Sequence, residues 1–151
     1  MRDDRSNILK VAFPTFISER FYFECADGWF DLIADIAQYV SSRTPYCSAV
    51  QIKEKFGMLR VYVEFEYDEN GDSIVPKEIC DDIYRHISRI EAQSKYVCED
   101  CGIKLTEQNK CPQEKLGYWI RNVCSPCHEI QENEATQRLE NKIYKTLKEK
   151  P

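Results

Sequence analysis

Two stretches in the first half of the chain repeat their hydrophobic residues with the spacing of an α-helix. In residues 27–42 the stripe comprises Phe30, Ile33, Ala37 and Val40. In residues 77–95 it comprises Ile79, Ile83, Ile87 and Ile90. Because each stripe covers one side of the helical turn, the pattern predicts two amphipathic helices that each bury one face.

Three residues near these stripes add detail. Asp27 is placed to cap the first helix, because its carboxylate can accept backbone amide hydrogens, and Trp29 is interpreted as a core anchor. His86 lies beside the second stripe, where the local pattern supplies no acidic partner. We therefore interpret His86 as a histidine at the edge of the core rather than a catalytic base.

Residues 48–67 alternate between apolar and polar side chains, which is typical of strands with one buried face. The first run places Val50 and Ile52 on one face. The second run places Leu59, Val61, Val63 and Phe65 on one face. The link at residues 54–57 predicts a hairpin in which Gly57 takes a positive φ.

Residues 1–25 show no clear period, although they are rich in aromatic residues. We expect them to pack on the core as a loop, a short helix or a strand, with Cys25 as a small buried apolar residue. The first 97 residues therefore predict a small α+β layer in which a hairpin lies between two helices.

Composition and charge exclude several classes of protein. The longest apolar run is too short to cross a membrane, and the charged start shows no secretory signal, so we expect a cytoplasmic protein. The net charge is −5; residues 1–97 carry 12 basic and 17 acidic side chains, and residues 98–151 carry nine of each. Neither part has the basic surplus that a non-specific nucleic-acid binder needs.

Eight cysteines give the clearest chemical signal, because four of them form two C-x-x-C pairs. The pairs are Cys98 with Cys101 and Cys124 with Cys127. Each pair can hold two thiolates on one side of an ion, and Gly102 suits the turn after the first pair. The spacing predicts one structural Zn²⁺ per chain, bound by these four residues.

Other uses of the cysteines are weaker interpretations. A redox dithiol lacks its usual βαβ context, and disulfides do not suit a reducing compartment. An iron–sulfur cluster, which also takes four thiolates, is not excluded by the sequence. Cys111 and His128 are spare donors close to the predicted site.

The surroundings of the pairs predict a compact module. Residues 117–123 are interpreted as a strand leading into the second pair, and residues 129–148 as a long helix that follows it. This order resembles a treble clef, and the second pair resembles that of GATA-type zinc fingers. The helix lacks the basic face of those fingers, so DNA binding is not carried over.

A second resemblance rests on Asn122, Cys124, Cys127 and His128, which are similar to the end of the HNH nuclease motif. HNH enzymes also need a histidine in the preceding strand. Residues 105–112 contain none. We therefore expect no enzymatic activity and keep a degenerate HNH-like nuclease as the third alternative.

The broadest resemblance is to a group of uncharacterised phage and prophage proteins. It is carried by Asp27 to Phe30, by the segment IKEKFGMLR at residues 52–60, and by Ser94 and the first cysteine pair. It spans residues 24–128 and implies a phage protein acting in the bacterial cytoplasm, but it implies no reaction.

Together these observations predict an α+β protein with three parts: an α+β domain at 1–97, a four-cysteine treble-clef or zinc-ribbon module at 98–128 and a C-terminal helix at 129–151. The preferred function is a zinc-stabilised interaction protein that binds and inhibits a host defence protein. The alternative is a nucleic-acid-binding finger whose phosphate contacts would be Lys104, Lys110, Lys115 and Arg121.

Two surfaces each have two interpretations, one of which is a binding role. Lys53, Glu54, Lys55 and Arg60 are either the solvated face of the hairpin or a charged recognition patch. The C-terminal helix carries a thin stripe at Ile130, Ala135, Leu139, Ile143 and Leu147. This stripe either packs back on the rest of the chain or docks a partner or a second copy.

Overall fold

A computed structural model describes residues 1–118 and 120–148, apart from the side chain of Leu147. The helices are α1 Asp3–Ala12, α2 Phe30–Arg43, α3 Lys77–Ser94, α4 Gln113–Leu116 and α5 Ser125–Lys148. The strands are β1 Phe23–Glu24, β2 Cys47–Lys55 and β3 Met58–Phe65, and a 3-10 turn at Asp27–Trp29 precedes α2. The predicted α+β class, the hairpin and the long C-terminal helix are confirmed.

The sheet has the order β1-β2-β3, with β1 parallel and β3 antiparallel to β2. Helices α2 and α3 pack against each other and α3 packs along β3, so one face of the sheet is buried and the other stays polar. The largest fully buried side chains of this core include Trp29, Phe16, Ile33, Ile52, Leu59 and Ile83. The stripes predicted for α2 and α3 therefore face the core as expected.

A register shift between Ala49 and Gln51 corrects the predicted face of β2. Val50 is 55% exposed, whereas Ile52 is fully buried. An extra residue in one strand reverses the direction of the side chains beyond it, so Cys47 and Ala49 occupy the face where the simple alternation places Val50. A regular period of two cannot reveal such a bulge.

Hydrogen bonds from α3 protect the free edge of the sheet. The amide of Leu59 donates to Ser94 Oγ at 2.9 Å, and the amide of Val61 donates to Glu91 Oε1 at 2.8 Å. Glu91 also pairs with Arg60 at 3.1 Å, so Arg60 stabilises the fold and does not belong to a free charged patch. Covering an edge strand in this way prevents its pairing with another chain.

The two core helices are joined by a polar contact that the sequence does not show. Nε2 of His86 lies 2.6 Å from Asp35 Oδ1, and the His86 ring stacks on Tyr39 with its centroid 3.7 Å away. The hydroxyl of Tyr39 donates to Asp82 at 2.6 Å. The acidic partner missing from the local pattern of His86 is therefore supplied by α2, 51 residues away.

The N-terminal residues form α1 and β1 and fasten to the turn before α2. Asp27 accepts the Arg2 amide at 2.8 Å and also binds the Arg2 guanidinium. No side chain caps α2, so the capping role predicted for Asp27 is wrong. Cys25 and Trp29 are buried as predicted, and within the described residues no helix meets the length and hydropathy needed to cross a bilayer.

At Gly28 the turn before α2 contacts the first cysteine pair directly. Its amide donates to the Glu99 carbonyl at 2.9 Å. A Cβ at this position would lie 2.1 Å from the Cys98 carbonyl oxygen and 2.6 Å from the Gly102 nitrogen. Both neighbours are backbone atoms, so only a residue without a Cβ lets the two segments meet.

We expect Gly28→Ala to lower the free energy of unfolding by about 3 kcal/mol, the upper range for forced overpacking. The matched control is Gly71→Ala, where φ is +84° but nothing lies within 4 Å of the added Cβ; strain alone should cost about 1 kcal/mol there. Urea unfolding of both variants checks this. Equal losses would show that the steric contact at Gly28 costs no more than the backbone strain at Gly71.

Candidate metal centre

The sulfur atoms of Cys98, Cys101, Cys124 and Cys127 all lie within 4.8 Å of one another. The Cys101 and Cys124 sulfurs are 3.7 Å apart, far beyond the bond length of a disulfide. Four sulfurs placed about 2.3 Å from a central ion in a tetrahedron lie about 3.8 Å from each other. The four predicted residues thus form a possible metal site.

The first pair lies in a tight turn directly after α3. The Gly102 amide donates to the Cys98 carbonyl at 2.9 Å, and Gly102 has the positive φ expected for it, +81°. The Cys98 amide donates to the Ile103 carbonyl at 2.8 Å. These bonds hold the Cys98 and Cys101 side chains on one side of the turn.

The second pair lies at the start of α5. Cys124 forms an isolated bridge with Lys110, and Cys127 belongs to the first turn of the helix. The Cys124 amide donates to the Cys98 sulfur at 3.3 Å, which links the two pairs directly. A backbone amide aimed at a sulfur favours the thiolate form, which is the form that binds a metal.

A bound cation would compensate the negative charge that the cluster carries when its thiols are deprotonated. Burial raises the pKa of the Cys127 thiol, and bonds from Cys124 and Cys101 raise it further. Several thiolates in so small a volume repel one another unless a positive ion compensates them. Binding of a divalent metal reverses this balance, because coordination deprotonates a thiol.

The two spare donors lie outside the cluster. Cys111 is buried, and its sulfur is 3.7 Å from the carbonyl of Pro112. The His128 ring is also buried, with Nε2 3.4 Å from Glu132 Oε1. Within the described residues, the group of donors close enough to share an ion comprises the four cysteines alone.

The strand predicted for residues 117–123 is not formed in its described part. Gly117 and Tyr118 lie in a turn, residues 120–123 are irregular, and Trp119 lies outside the described residues. The Asn122 carbonyl accepts the Glu99 amide at 2.9 Å and the Val123 carbonyl accepts the Cys111 amide at 2.9 Å. These bonds reach two different neighbours and do not form a regular ladder.

Arg121 holds the outer side of the centre together. Its guanidinium binds Glu99, contacts Asp100 at 3.2 Å and reaches Gln131 on α5. Glu99 is only 4% exposed, and burial raises the pKa of its carboxyl although Arg121 opposes the shift. The phosphate contact predicted for Arg121 is therefore unsupported, because its charge is used inside the module.

Asn122 fastens the module to the tip of the hairpin. Its side-chain amide donates to the Gly57 carbonyl at 2.6 Å. A Cβ on Gly57 would lie 3.1 Å from that Asn122 nitrogen, so Gly57 serves both the turn and this close contact. The residue that resembles the HNH asparagine thus has a structural bond in this chain.

No family model, curated protein or solved structure matches this chain. The resemblance to phage and prophage proteins therefore stays a prediction that rests on the residues quoted for it.

We expect Arg121→Ala to lower the free energy of unfolding by about 3 kcal/mol, because the buried Glu99 carboxylate loses its partner. Arg138→Ala is the control, since its pair with Glu134 on α5 is exposed and worth less than about 0.5 kcal/mol. Thermal and urea unfolding of both variants measure the difference. A loss no larger than that of the control would show that Arg121 does not stabilise the module.

Proposed function

We propose that this protein is a non-enzymatic, zinc-stabilised interaction protein, with a protein of a bacterial host as its partner. The observation that carries the proposal is the closed set of four sulfurs, next to which Asn122 binds the carbonyl of Gly57 at the hairpin tip.

Zinc is the ion that the donor set favours. Four thiolates in tetrahedral arrangement suit Zn²⁺ or iron. Four sulfurs around one ion lie about 3.8 Å from one another; the Cys101 and Cys124 sulfurs are 3.7 Å apart, and all four sulfurs lie within 4.8 Å of one another. Such close sulfurs fit a single ion, whereas a cluster of several irons would hold them farther apart.

The ion is proposed to be structural. Four protein ligands fill a tetrahedron, so no position is left for water or substrate. The buried cluster around the site is small, with Leu105, Leu116 and Val123 as its aliphatic members. A core of this size needs a metal to fold, because zinc binding contributes folding free energy directly.

The exposed side of the same region supports a binding role. A cavity of about 690 Å³ lies between the hairpin tip and the module, with Phe56, Tyr96 and Leu105 in its wall. Phe56 is 68% exposed and Tyr96 is 64% exposed. Exposed aromatic side chains around a concave surface are typical of contact sites.

A protein partner agrees better with the charges than a nucleic acid does. The chain carries a net charge of −5, and Arg121 is neutralised by Glu99 and Asp100. The phage resemblance would place that partner in the host cytoplasm and make a host defence protein a suitable target.

The zinc proposal predicts about one Zn²⁺ per chain in protein purified under reducing conditions, measured by elemental analysis. Cys98→Ser and Cys124→Ser should lose the metal and the order of residues 98–131. Cys111→Ala is the control, because Cys111 is buried outside the cluster, and it should retain the metal. Metal-free or iron-loaded wild-type protein would contradict the proposal.

The helix α5 is proposed as a second, separate surface for self-association. Leu139 and Ile143 are more than half exposed, and the described side chains around them are also exposed, so the interpretation that the stripe packs back on the chain is wrong for the described residues. Ala135 lies on the same stripe and completes a narrow apolar face.

Removal of residues 133–151 should change the free energy of unfolding by less than about 1 kcal/mol, as expected for exposed positions. Gln131 and its contact with Arg121 are retained. Sedimentation equilibrium should show self-association of the full chain that the shortened chain has lost. Identical association of the two chains, or a monomeric full chain, would contradict a role of α5 in pairing.

A further inference from the structure

The tip of the hairpin breaks a local rule. Lys55 pairs with Met58, so the turn has two residues, and both take positive φ: 54° at Phe56 and 71° at Gly57. Two-residue turns of this kind strongly favour asparagine, aspartate or glycine at the first position. Phenylalanine is disfavoured there, because its Cβ approaches the following carbonyl.

Burial does not explain the choice of phenylalanine. The Phe56 side chain remains 68% exposed, so it gains little hydrophobic stabilisation in return for the strain. The Lys55 ammonium makes a cation–π contact with the ring, with its Nζ 5.8 Å from the ring centroid. A strained backbone conformation that is not offset by burial of its side chain is typical of functional sites.

Phe56 lies at the boundary of two concave surfaces. On one side is the cavity bounded by Tyr96 and Leu105. On the other side is a cavity of about 600 Å³ bounded by Tyr118, Ile120 and Arg121. We call Phe56 and these two cavities the tip surface. Its position lets one extended segment contact both cavities across the phenylalanine ring.

Positive side chains outnumber negative ones around the tip surface. Lys55, Lys95 and Lys110 border it, and within the described part of the chain none of them forms an ion pair. Glu54 is held by the Gly57 amide at 2.6 Å, and Glu107 is the remaining acidic side chain. Three unpaired cations on a chain of net charge −5 are a local exception that would attract an acidic ligand.

We propose that the tip surface binds an acidic segment of a partner protein, with a large apolar side chain of that segment seated beside Phe56. This rests on the proposed interaction function and specifies its contact site. The apolar side chains of Phe56, Tyr96 and Leu105 supply an anchor position. The three lysines are complementary in charge to aspartate and glutamate. A single-stranded nucleic acid, which also combines flat rings with negative charge, is the rival occupant.

The test uses the zinc-loaded full chain and a library of random twelve-residue peptides. The proposal expects enriched peptides that are rich in Asp and Glu and contain a Phe, Trp or Leu. Phe56→Asn should weaken their binding at least tenfold while leaving Tm unchanged or higher, because asparagine suits the turn. Lys95→Glu combined with Lys110→Glu should weaken binding to a similar degree.

Tyr67→Asn is the control, because Tyr67 is similarly exposed but lies beyond the far end of β3. This variant should bind the enriched peptides as tightly as the wild type does.

The proposal is overturned if no peptide is enriched, if the peptides show no acidic bias, or if Phe56→Asn binds them normally. In that last case another surface binds, and the interaction function survives. Binding of the oligonucleotide dT20 that requires Phe56 would assign the surface to nucleic acid instead. Absence of zinc from the same preparation would reject the proposed function itself.

Discussion

The mutual approach of four sulfur atoms is the constraint on which the second half of the chain depends. It brings the turn after α3 to the start of α5, although 22 residues separate the two cysteine pairs. Once the pairs meet, Glu99 and Asn122 exchange backbone and side-chain bonds. Asn122 is then in position to donate to the carbonyl of Gly57, so the four-cysteine cluster and the hairpin tip are linked by consecutive contacts.

The cysteine module and the α+β layer stabilise each other through direct contacts. The module has a small apolar cluster and gains support from Gly28, where two backbones meet without an intervening side chain. Trp29, at the centre of the main core, also donates from Nε1 to the Val97 carbonyl at 3.4 Å. Opening of the four-cysteine cluster should therefore disturb the packing of the layer and not only that of the module.

The sequence was informative for most features that depend on near neighbours, although the cap predicted at Asp27 and the strand predicted at 117–123 are wrong for the described residues. Periodicity located α2, α3 and the hairpin, and spacing located the four cysteines, because each signal lies within a few residues. The side-chain pairings that local patterns do not reveal involve distant partners: Asp35 for His86, Glu99 for Arg121 and Glu91 for Arg60. A side chain that pairs across 20 to 50 residues leaves no local pattern, and the bulge at Val50 is equally invisible to a regular period.

Phe56 shows how a violated local rule can be separated from a structural need. Gly57 also has positive φ, but its small size is explained by the turn and by the contact with Asn122. Phe56 has no such explanation, since its ring is largely exposed and asparagine would fit the turn better. A residue that neither suits its backbone nor fills the core is best explained by what it presents to solvent. The strained residue Phe56 thus lies where the cysteine module and the α+β layer together form a concave surface.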